Sequence, residues 1–226
     1  MRLVDNIFNS MLGQKSSPAI SAAVQDLDNT AENYNPEVMA WLNSTSWYKG
    51  NPNYITFEEA AAVDSEQFSD GLKSAIVTFD EARFFTSVTD LTPKAFYNCN
   101  LLKRITIPDS ITSIGSYAFY NCKSLALTSL PNGLTTIGVE AFQNCITLKD
   151  TLHEIPSSVT EFRGGAFRYV EFPRLKFLGL TPPTFGTQSL YNPKGIDCQV
   201  PSASLAEYQQ AMKVLTDTGL ITISTY

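Results

Sequence analysis

The stretch LKRITIPDSITSIGSYAFYNC, from Leu102 to Cys122, contains the pattern that decides the fold. Ile105 and Ile107 alternate with polar neighbours, and this period of two predicts a short strand with one buried face. Pro108 follows at once and ends the strand, because proline has no amide hydrogen to donate to a neighbouring strand.

The second half of the stretch predicts a turn that returns the chain to the core. Ile111 and Ile114 form another short segment that faces inward. Gly115 permits a turn after it, because glycine adopts backbone conformations that other residues avoid. Ala118-Phe119 then fills the interior. The whole stretch is therefore predicted to form one turn of a coiled, stacked structure.

The same unit recurs along the chain. An Ala-Phe pair returns at separations of 23, 23 and 25 residues, in step with a proline and an inward apolar residue. A fixed period in this range is typical of stacked-repeat proteins. One coil cannot bury its own apolar side, so four clear units and a divergent fifth must stack to be stable. The pairs are Ala95-Phe96, Ala118-Phe119, Ala141-Phe142 and Ala166-Phe167.

The pattern L-x-x-I-x-I-P-x-S-I-T-x-I-G-x-x-A-F-x-N-C resembles the BspA-type leucine-rich repeat. Downstream, LKFLGLTPPTFGTQSLYN is similar to the usual last repeat, and IDCQVPSASLAEYQQAM is similar to the terminal strand and capping helix of such arrays. Upstream, YITFEEAAAVDSEQF resembles the lead-in segment before many of these repeats. The resemblance covers about three quarters of the chain and implies a non-enzymatic, rigid surface for protein contacts.

We therefore expect a leucine-rich-repeat solenoid of short stacked β-strands and turns, with a helical N-terminal region and a C-terminal strand-helix cap. The expected parts are 1–53 as a helical docking or capping region, 54–85 as the lead-in segment, 86–200 as the BspA-type repeats and 201–226 as the C-terminal cap.

Composition and charge exclude several classes of partner. Charged residues make up 17% of the 226 residues and the formal net charge is −6. No more than two basic residues are consecutive, so binding to nucleic acid or to an anionic membrane surface is not expected. No stretch approaches the roughly 18 apolar residues of a spanning helix. Polar residues interrupt the N-terminal segment before it reaches signal-peptide length, which predicts that the chain stays where it is made.

Three cysteines occupy equivalent positions of successive coils, here called a column, and each follows an asparagine. Equivalent residues of stacked coils lie roughly 4.8 Å apart with parallel side chains, whereas a disulfide needs converging Cβ atoms at ~3.8 Å. A spacing of 23 residues without histidine also lacks the convergence of a metal site. We predict packing for this column and for a fourth cysteine, and neither a metal nor a cofactor. The residues are Cys99, Cys122, Cys145 and Cys198.

Other candidates for chemistry are weak. The single histidine, His153, lies in a loop with Asp150 and Ser157, and such a local run is not an oriented catalytic triad. In the lead-in segment Glu59 matches the last position of a calcium-binding loop, but Tyr48 and Gly50 occupy positions where carboxylates are needed. The acidic pair Glu58-Glu59 is typical of a solvated first turn of a helix. Nothing here predicts an enzyme.

Two segments near the N-terminus could pack on the first coil. The first segment has apolar residues at helical spacing, which predicts a short helix with one apolar face. That face must be buried, because an isolated helix of this length is only marginally stable in water. It either folds back over the first coil or docks into another subunit, and both alternatives stay open. The second segment, residues 37–48, could cover the first coil instead. The apolar face consists of Leu3, Val4, Ile7, Phe8, Met11 and Leu12.

One column of the repeat suggests a binding surface. The residue after Ala-Phe varies between coils and includes Tyr97 and Tyr120, so we predict that it faces solvent. Tyr117 lies beside them, and the three rings would form an aromatic patch of the kind found at interfaces. The alternative is that they are ordinary surface tyrosines.

The repeats therefore predict a structural or protein-interaction module. Our first hypothesis is an accessory or decoration subunit of a phage particle or similar assembly, which fits the apolar leader. The alternative is a bacterial cell-surface adhesin or host-protein-binding protein, which fits the repeats but needs an export signal.

Overall fold

The computed structural model describes residues 35–50, 57–69, 73–218 and 221–226. These residues form four α-helices: α1 (Pro36–Ser44), α2 (Phe57–Ala62), α3 (Ser65–Ser69) and α4 (Leu205–Ala211). They also form short strands: β1 (Thr78–Phe79), β2 (Asp90–Leu91), β3 (Arg104–Ile105), β4 (Ser113–Ile114), β5 (Thr136–Ile137), β6 (Glu154–Ile155), β7 (Glu161–Phe162), β8 (Arg174–Phe177), β9 (Thr184–Phe185), β10 (Ile196–Val200) and β11 (Ile221–Thr225).

The longest stack is a parallel sheet of five strands in the order β2-β4-β5-β7-β9. Each strand comes from a different coil, and apolar residues of adjacent coils are paired in register, as in Leu91 with Ile114 and Ile114 with Ile137. One repeat period therefore advances the chain by one strand position. This is the solenoid that the period of 23 residues predicted.

A second set of parallel strands accompanies the first. β1 pairs with β3, and an isolated bridge joins Arg104 to Ala126. Further along the chain, a four-stranded sheet has the order β11-β10-β8-β6. The coils are thus joined by two sets of parallel strand pairs. The interior lies between these two sets, and each coil contributes its buried side chains to it.

Phenylalanines form the centre of that interior. The rings of the four Ala-Phe pairs lie almost parallel, with centroid distances of 5.1, 5.1 and 5.0 Å between successive coils, and all four are fully buried. Backbone hydrogen bonds run beside them, from the Phe96 amide to the Ala118 carbonyl at 2.7 Å and from Phe119 to Ala141 at 2.8 Å. The Ala-Phe turn is therefore a third ladder. The stacked rings are Phe96, Phe119, Phe142 and Phe167.

Gly115 allows a close approach of two coils, whereas the sequence predicted that it permits a turn. A Cβ atom at this position would lie 2.5 Å from the Leu91 carbonyl oxygen and 2.7 Å from the Pro93 nitrogen. The Gly115 amide donates to that same Leu91 oxygen at 2.8 Å. The absent side chain allows two coils to approach closely, rather than a left-handed turn.

Side chains of the preceding helices cover the start of the first coil. Ser65 Oγ accepts hydrogen bonds from the amides of Thr89 and Asp90, both at 3.1 Å. Glu37 Oε2 accepts from the Val77 amide at 2.9 Å, and Asn35 Nδ2 donates to the Thr78 carbonyl. These contacts satisfy backbone groups that an earlier coil would otherwise bind.

α1 also packs on this coil through its apolar side. The Trp41 ring contacts Phe68, Phe79 and Phe85 at centroid distances of 5.9, 5.4 and 6.2 Å. The leader residues Leu3, Ile7, Phe8, Met11 and Leu12 lie outside the described residues.

Strand pairing continues beyond β10. α4 follows that strand, and its Tyr208 hydroxyl donates to the Gly179 carbonyl at 2.9 Å. β11 then pairs with β10 over five residues, from Ile196 with Ile221 to Val200 with Thr225. β10 is therefore not the terminal strand that the sequence predicts, because β11 extends the sheet beyond it.

Candidate interaction surface

Side chains beside the Ala-Phe turns of successive coils form the candidate site. We call this surface the tyrosine ridge. It follows the column after Ala-Phe through five coils and includes one neighbour from each of two coils. Its residues are Tyr97, Tyr117, Tyr120, Gln143, Arg168, Tyr169 and Tyr191.

The first half of the ridge is a cluster of three tyrosines. The rings of Tyr97 and Tyr120 are stacked, with centroids 5.2 Å apart and planes inclined by 11°. Tyr117 meets Tyr120 edge-on at 5.8 Å, and the Lys94 ammonium lies 5.8 Å from the Tyr97 ring centroid. The structure therefore brings together the three tyrosines that the sequence singled out.

Exposure varies along the ridge. Tyr97 is 41% exposed and Tyr120 is half-buried, whereas Gln143 in the next coil is only 7% exposed. The prediction that this whole column faces solvent is therefore wrong for Gln143. Gln143 lies in the middle of the column, with Tyr120 one coil before it and Arg168 one coil after, so its neighbours cover it.

The second half of the ridge contains Arg168, which the sequence places in the column after Ala-Phe, and two tyrosines that were not predicted. The Arg168 guanidinium lies 4.8 Å from the Tyr169 ring centroid and 5.8 Å from that of Tyr191. The two rings meet edge-on at 5.4 Å, and Arg168 Nη2 donates to the Tyr169 hydroxyl at 3.1 Å. The available signal was positional: Tyr191 follows Ser189-Leu190, which replaces Ala-Phe in the divergent coil.

Two of these tyrosines have a left-handed backbone conformation. Tyr117 and Tyr169 have φ values of 62° and 63°, in the left-handed region that bulky residues rarely occupy. Such a conformation costs of the order of 1 kcal/mol for a residue with a Cβ atom. The neighbouring Asn98 and Asn121, both with φ of 59°, adopt it at less cost because asparagine tolerates it. Lys94, Glu140 and Gln188 have the same conformation at positions equivalent to Tyr117, so it belongs to the repeated turn.

A ladder of asparagine side chains borders the ridge. Asn121 Nδ2 donates to Asn98 Oδ1 at 3.0 Å, and Asn144 Nδ2 donates to Asn121 Oδ1 at 2.8 Å. These bonds join three successive coils next to the tyrosines. They hold the turns in fixed positions, so the ridge is organised before any partner binds.

The cysteine column lies beneath the ridge. Cys99, Cys122, Cys145 and Cys198 are buried free thiols. The thiols of Cys122 and Cys145 donate to the carbonyls of Phe96 and Phe119 in the preceding coils, at 3.0 and 2.9 Å. Burial raises the pKa of Cys99 and of Cys198 to about 12, and it also raises the pKa of Cys122. All four thiols are packed in the interior, and those of Cys122 and Cys145 also bind backbone carbonyls, which goes beyond the small hydrophobe that we predicted.

Other groups considered from the sequence are dispersed or unsuited to chemistry. His153 is exposed, just before β6. Lys49 and Glu59 line one cleft of about 400 Å³, and an ammonium group in that cleft opposes cation binding. Among the described residues, no three His, Cys, Asp or Glu side chains are grouped to hold a metal ion. No helix in the same part of the chain has the length and apolar character to cross a membrane.

Stacked parallel strands, repeated turns and the phenylalanine ladder define a leucine-rich-repeat solenoid. The family model described as BspA type leucine rich repeat region matches residues 43–176 in six copies, and the chain belongs to this family. The match begins within the region that the sequence analysis assigned to the N-terminal helices.

One solved structure that resembles the chain is a leucine-rich repeat protein from Bacteroides ovatus ATCC 8483. The sequences are 15% identical, and the TM-score is 0.32. The alignment covers 73% of this chain and 62% of that protein. A comparison with curated proteins finds no match.

Proposed function

We propose that this chain is a non-enzymatic protein-interaction module and that the tyrosine ridge is its contact surface. The family supports the first part, because leucine-rich repeats typically mediate protein interactions. The observation that carries the second part is the parallel stack of Tyr97 and Tyr120, joined by Tyr117 and fixed beside the asparagine ladder.

The chemistry of the ridge suits a protein partner. Tyrosine and arginine are enriched at the residues that dominate binding energy in protein interfaces. A tyrosine has few rotatable bonds, so its immobilisation on binding costs little entropy. Here the rings already contact each other, which reduces that cost further. The facing sides of the Tyr97 and Tyr120 rings cover each other, so their edges and hydroxyls are the groups that remain for a partner.

The experiment compares capture by three versions of the full chain. The wild type, a Tyr97→Ala/Tyr120→Ala variant and a Leu180→Ala variant are immobilised and exposed to the same protein mixture. Leu180 is 67% exposed and lies outside the ridge, so it is a matched control for loss of apolar surface. We expect a protein that binds the wild type and the Leu180 variant and is lost from the tyrosine variant. Equal capture by all three would refute the ridge as the contact surface.

Two biological settings follow from the sequence, and both remain proposals. The first is an accessory or decoration subunit of a phage particle or similar assembly, in which Leu3, Ile7, Phe8, Met11 and Leu12 dock into another subunit. The second is a cell-surface adhesin or host-binding protein, in which the ridge itself meets the host. They differ in the segment that binds, so removal of the N-terminal segment separates them.

A further inference from the structure

The environment of Arg168 is unusual for an arginine of this chain. Arg104, Arg163 and Arg174 each form an ion pair with a carboxylate, contributed by Asp80, Glu161 and Asp197 respectively. In the described part of the chain, by contrast, no carboxylate oxygen lies within 4.0 Å of the Arg168 guanidinium. The guanidinium instead contacts the rings of Tyr169 and Tyr191, and Nη2 donates to the Tyr169 hydroxyl.

The tyrosines fix the position of this guanidinium. A cation over an aromatic ring is attracted by the negative face of the ring. Arg168 has two such contacts, at 4.8 and 5.8 Å, and the hydrogen bond from Nη2 to the Tyr169 hydroxyl adds a directional restraint. The side chain is therefore ordered without an ion pair, and a planar guanidinium held in this way is suited to a planar carboxylate.

Two neighbouring polar atoms are also unsatisfied. Arg168 Nε and Gln143 Oε1 are buried and have no hydrogen-bond partner among the described residues. Gln143 is 7% exposed and lies one coil before Arg168 in the same column. A buried polar group without a partner costs about 1–3 kcal/mol. Gln143 Oε1 accepts hydrogen bonds and therefore cannot bind a carboxylate oxygen, so the donor group available to a bound anion is the Arg168 guanidinium.

We infer that Arg168 is a binding site for an aspartate or glutamate side chain of the protein partner. This inference rests on the proposed function, because the other ridge tyrosines supply the surrounding contact. A single cation flanked by two rings matches one carboxylate of charge −1. A phosphate dianion is usually held by several cations or a helix N-terminus, and the nearby Lys194 is already paired with Glu171 at 2.5 Å.

The test uses a bead-displayed library of random heptapeptides as the probe. The library is screened against the wild-type chain and against Tyr97→Ala/Tyr120→Ala, and peptides that bind only the wild type are kept. We expect these peptides to share an aspartate or glutamate at one position. Replacing that residue by its amide should weaken binding to the wild type by about tenfold or more, the range for a hydrogen bond to a charged group.

Variants of the arginine identify the site of that effect. On Arg168→Gln, the acidic peptide and its amide counterpart should bind equally, whereas Arg168→Lys should retain part of the difference. Arg163→Gln is the matched control, because Arg163 is exposed and pairs with Glu161 within the chain, and it should behave as the wild type. The Arg168 Nε nuclear magnetic resonance signal should shift with the acidic peptide and not with the same concentration of sodium acetate.

The outcomes separate the two proposals. Peptides that depend on the tyrosines but share no acidic residue would overturn the carboxylate site and leave the ridge intact. The same conclusion follows if the amide replacement weakens binding equally to the wild type and Arg168→Gln. A shift of equal size with acetate would show a site for any small carboxylate and overturn the assignment to a protein side chain. If no peptide depends on the tyrosines, both proposals fail.

Discussion

The thiol of Cys122 donates a hydrogen bond to the carbonyl oxygen of Phe96 in the preceding coil, with 3.0 Å between sulfur and oxygen. Cys145 makes the equivalent bond to Phe119 at 2.9 Å. The thiol column is therefore a series of links between adjacent coils as well as a packed stripe. This dual role leads to the first prediction.

Replacing Cys122 by alanine should lower the free energy of unfolding by roughly 1–2 kcal/mol, because it removes a buried sulfur and leaves the Phe96 carbonyl without this donor. Urea denaturation followed by circular dichroism measures the change. The matched control is Cys99→Ala: Cys99 is also buried, but no thiol hydrogen bond to a carbonyl is found for it among the described residues. The loss at Cys122 should exceed that at Cys99, and equal losses would contradict a contribution from the thiol bond.

Stability should fall in alkaline solution because burial raises the pKa of three thiols, Cys99, Cys122 and Cys198, in the folded state. The pKa of Cys99 and that of Cys198 rise from 9.0 to about 12 on burial. Below the unfolded value both states are protonated and this contribution is complete. Between that value and about 12, only the unfolded chain loses the protons, so the free energy of unfolding falls by about 1.4 kcal/mol per pH unit for each thiol.

Urea titrations at about pH 8 and about pH 10 measure this slope. Cys198→Ala removes one of these three thiols and should make the slope of unfolding free energy against pH shallower by the contribution of one thiol. An unchanged slope in that variant would show that Cys198 does not contribute.

Truncation of Tyr120 to alanine should lower both the stability of the chain and its affinity for the partner. The half-buried ring stacks on Tyr97 and meets Tyr117 edge-on, and such aromatic contacts contribute about 0.5–1.5 kcal/mol each. At the centre of an interface the same truncation costs about 2 kcal/mol or more of binding free energy, which is about thirtyfold in Kd. Calorimetric titration with the captured partner measures the second effect, and Leu180→Ala should leave Kd unchanged. A loss of stability with an unchanged Kd would assign Tyr120 to packing alone.

The left-handed backbone of Tyr117 predicts an inversion of the usual ranking of alanine and glycine. At φ of 62°, Tyr117→Gly should be more stable than Tyr117→Ala by about 1 kcal/mol, because glycine has no Cβ atom to strain. At Tyr120, which is not among the residues with positive φ, alanine should be the more stable replacement. Thermal unfolding of the four variants tests this. Both Tyr117 variants should lose partner binding equally, since both remove the ring.

Removal of residues 1–14 tests the particle setting. If the apolar residues Leu3, Ile7, Phe8, Met11 and Leu12 dock into another subunit, the truncated chain should no longer co-sediment with the particle. The circular dichroism spectrum of the repeats should be retained. Unchanged co-sedimentation would contradict the docking role of this segment.

Much of the solenoid could be predicted because its signal is periodic. Ala118-Phe119 and its equivalents recur at nearly constant spacing, and every coil must bury the same positions to stack on its neighbours. The same reasoning located Tyr97 and Tyr120, since equivalent positions of adjacent coils are in contact. It did not find Tyr191, because the divergent coil has Ser189-Leu190 where the others have Ala-Phe. Arg168 lies in the same column, but its contacts with the rings of Tyr169 and Tyr191 leave no periodic signal.

Gln143 shows why variation within a column did not predict exposure. Its side chain is covered by the residues of the coils on either side, and those residues lie more than 20 positions away in sequence. The contacts that cover the first coil could not be predicted either. Ser65 accepts hydrogen bonds from the amides of Thr89 and Asp90, and these contacts leave no periodic signal in the sequence.

By itself, the sequence determined the repeat period, the family and the buried columns. Every coil buries the same apolar face, so apolar residues recur at regular positions along the chain. Only the tertiary structure decided that Gly115 serves a close approach of two coils, that the Cys122 thiol binds the Phe96 carbonyl, and that β11 extends the sheet beyond β10. It also placed Arg168 between two tyrosine rings with no carboxylate beside it in the described residues. Each of these depends on distances between neighbouring coils, which are set by how the coils stack and not by the order of residues within any one of them.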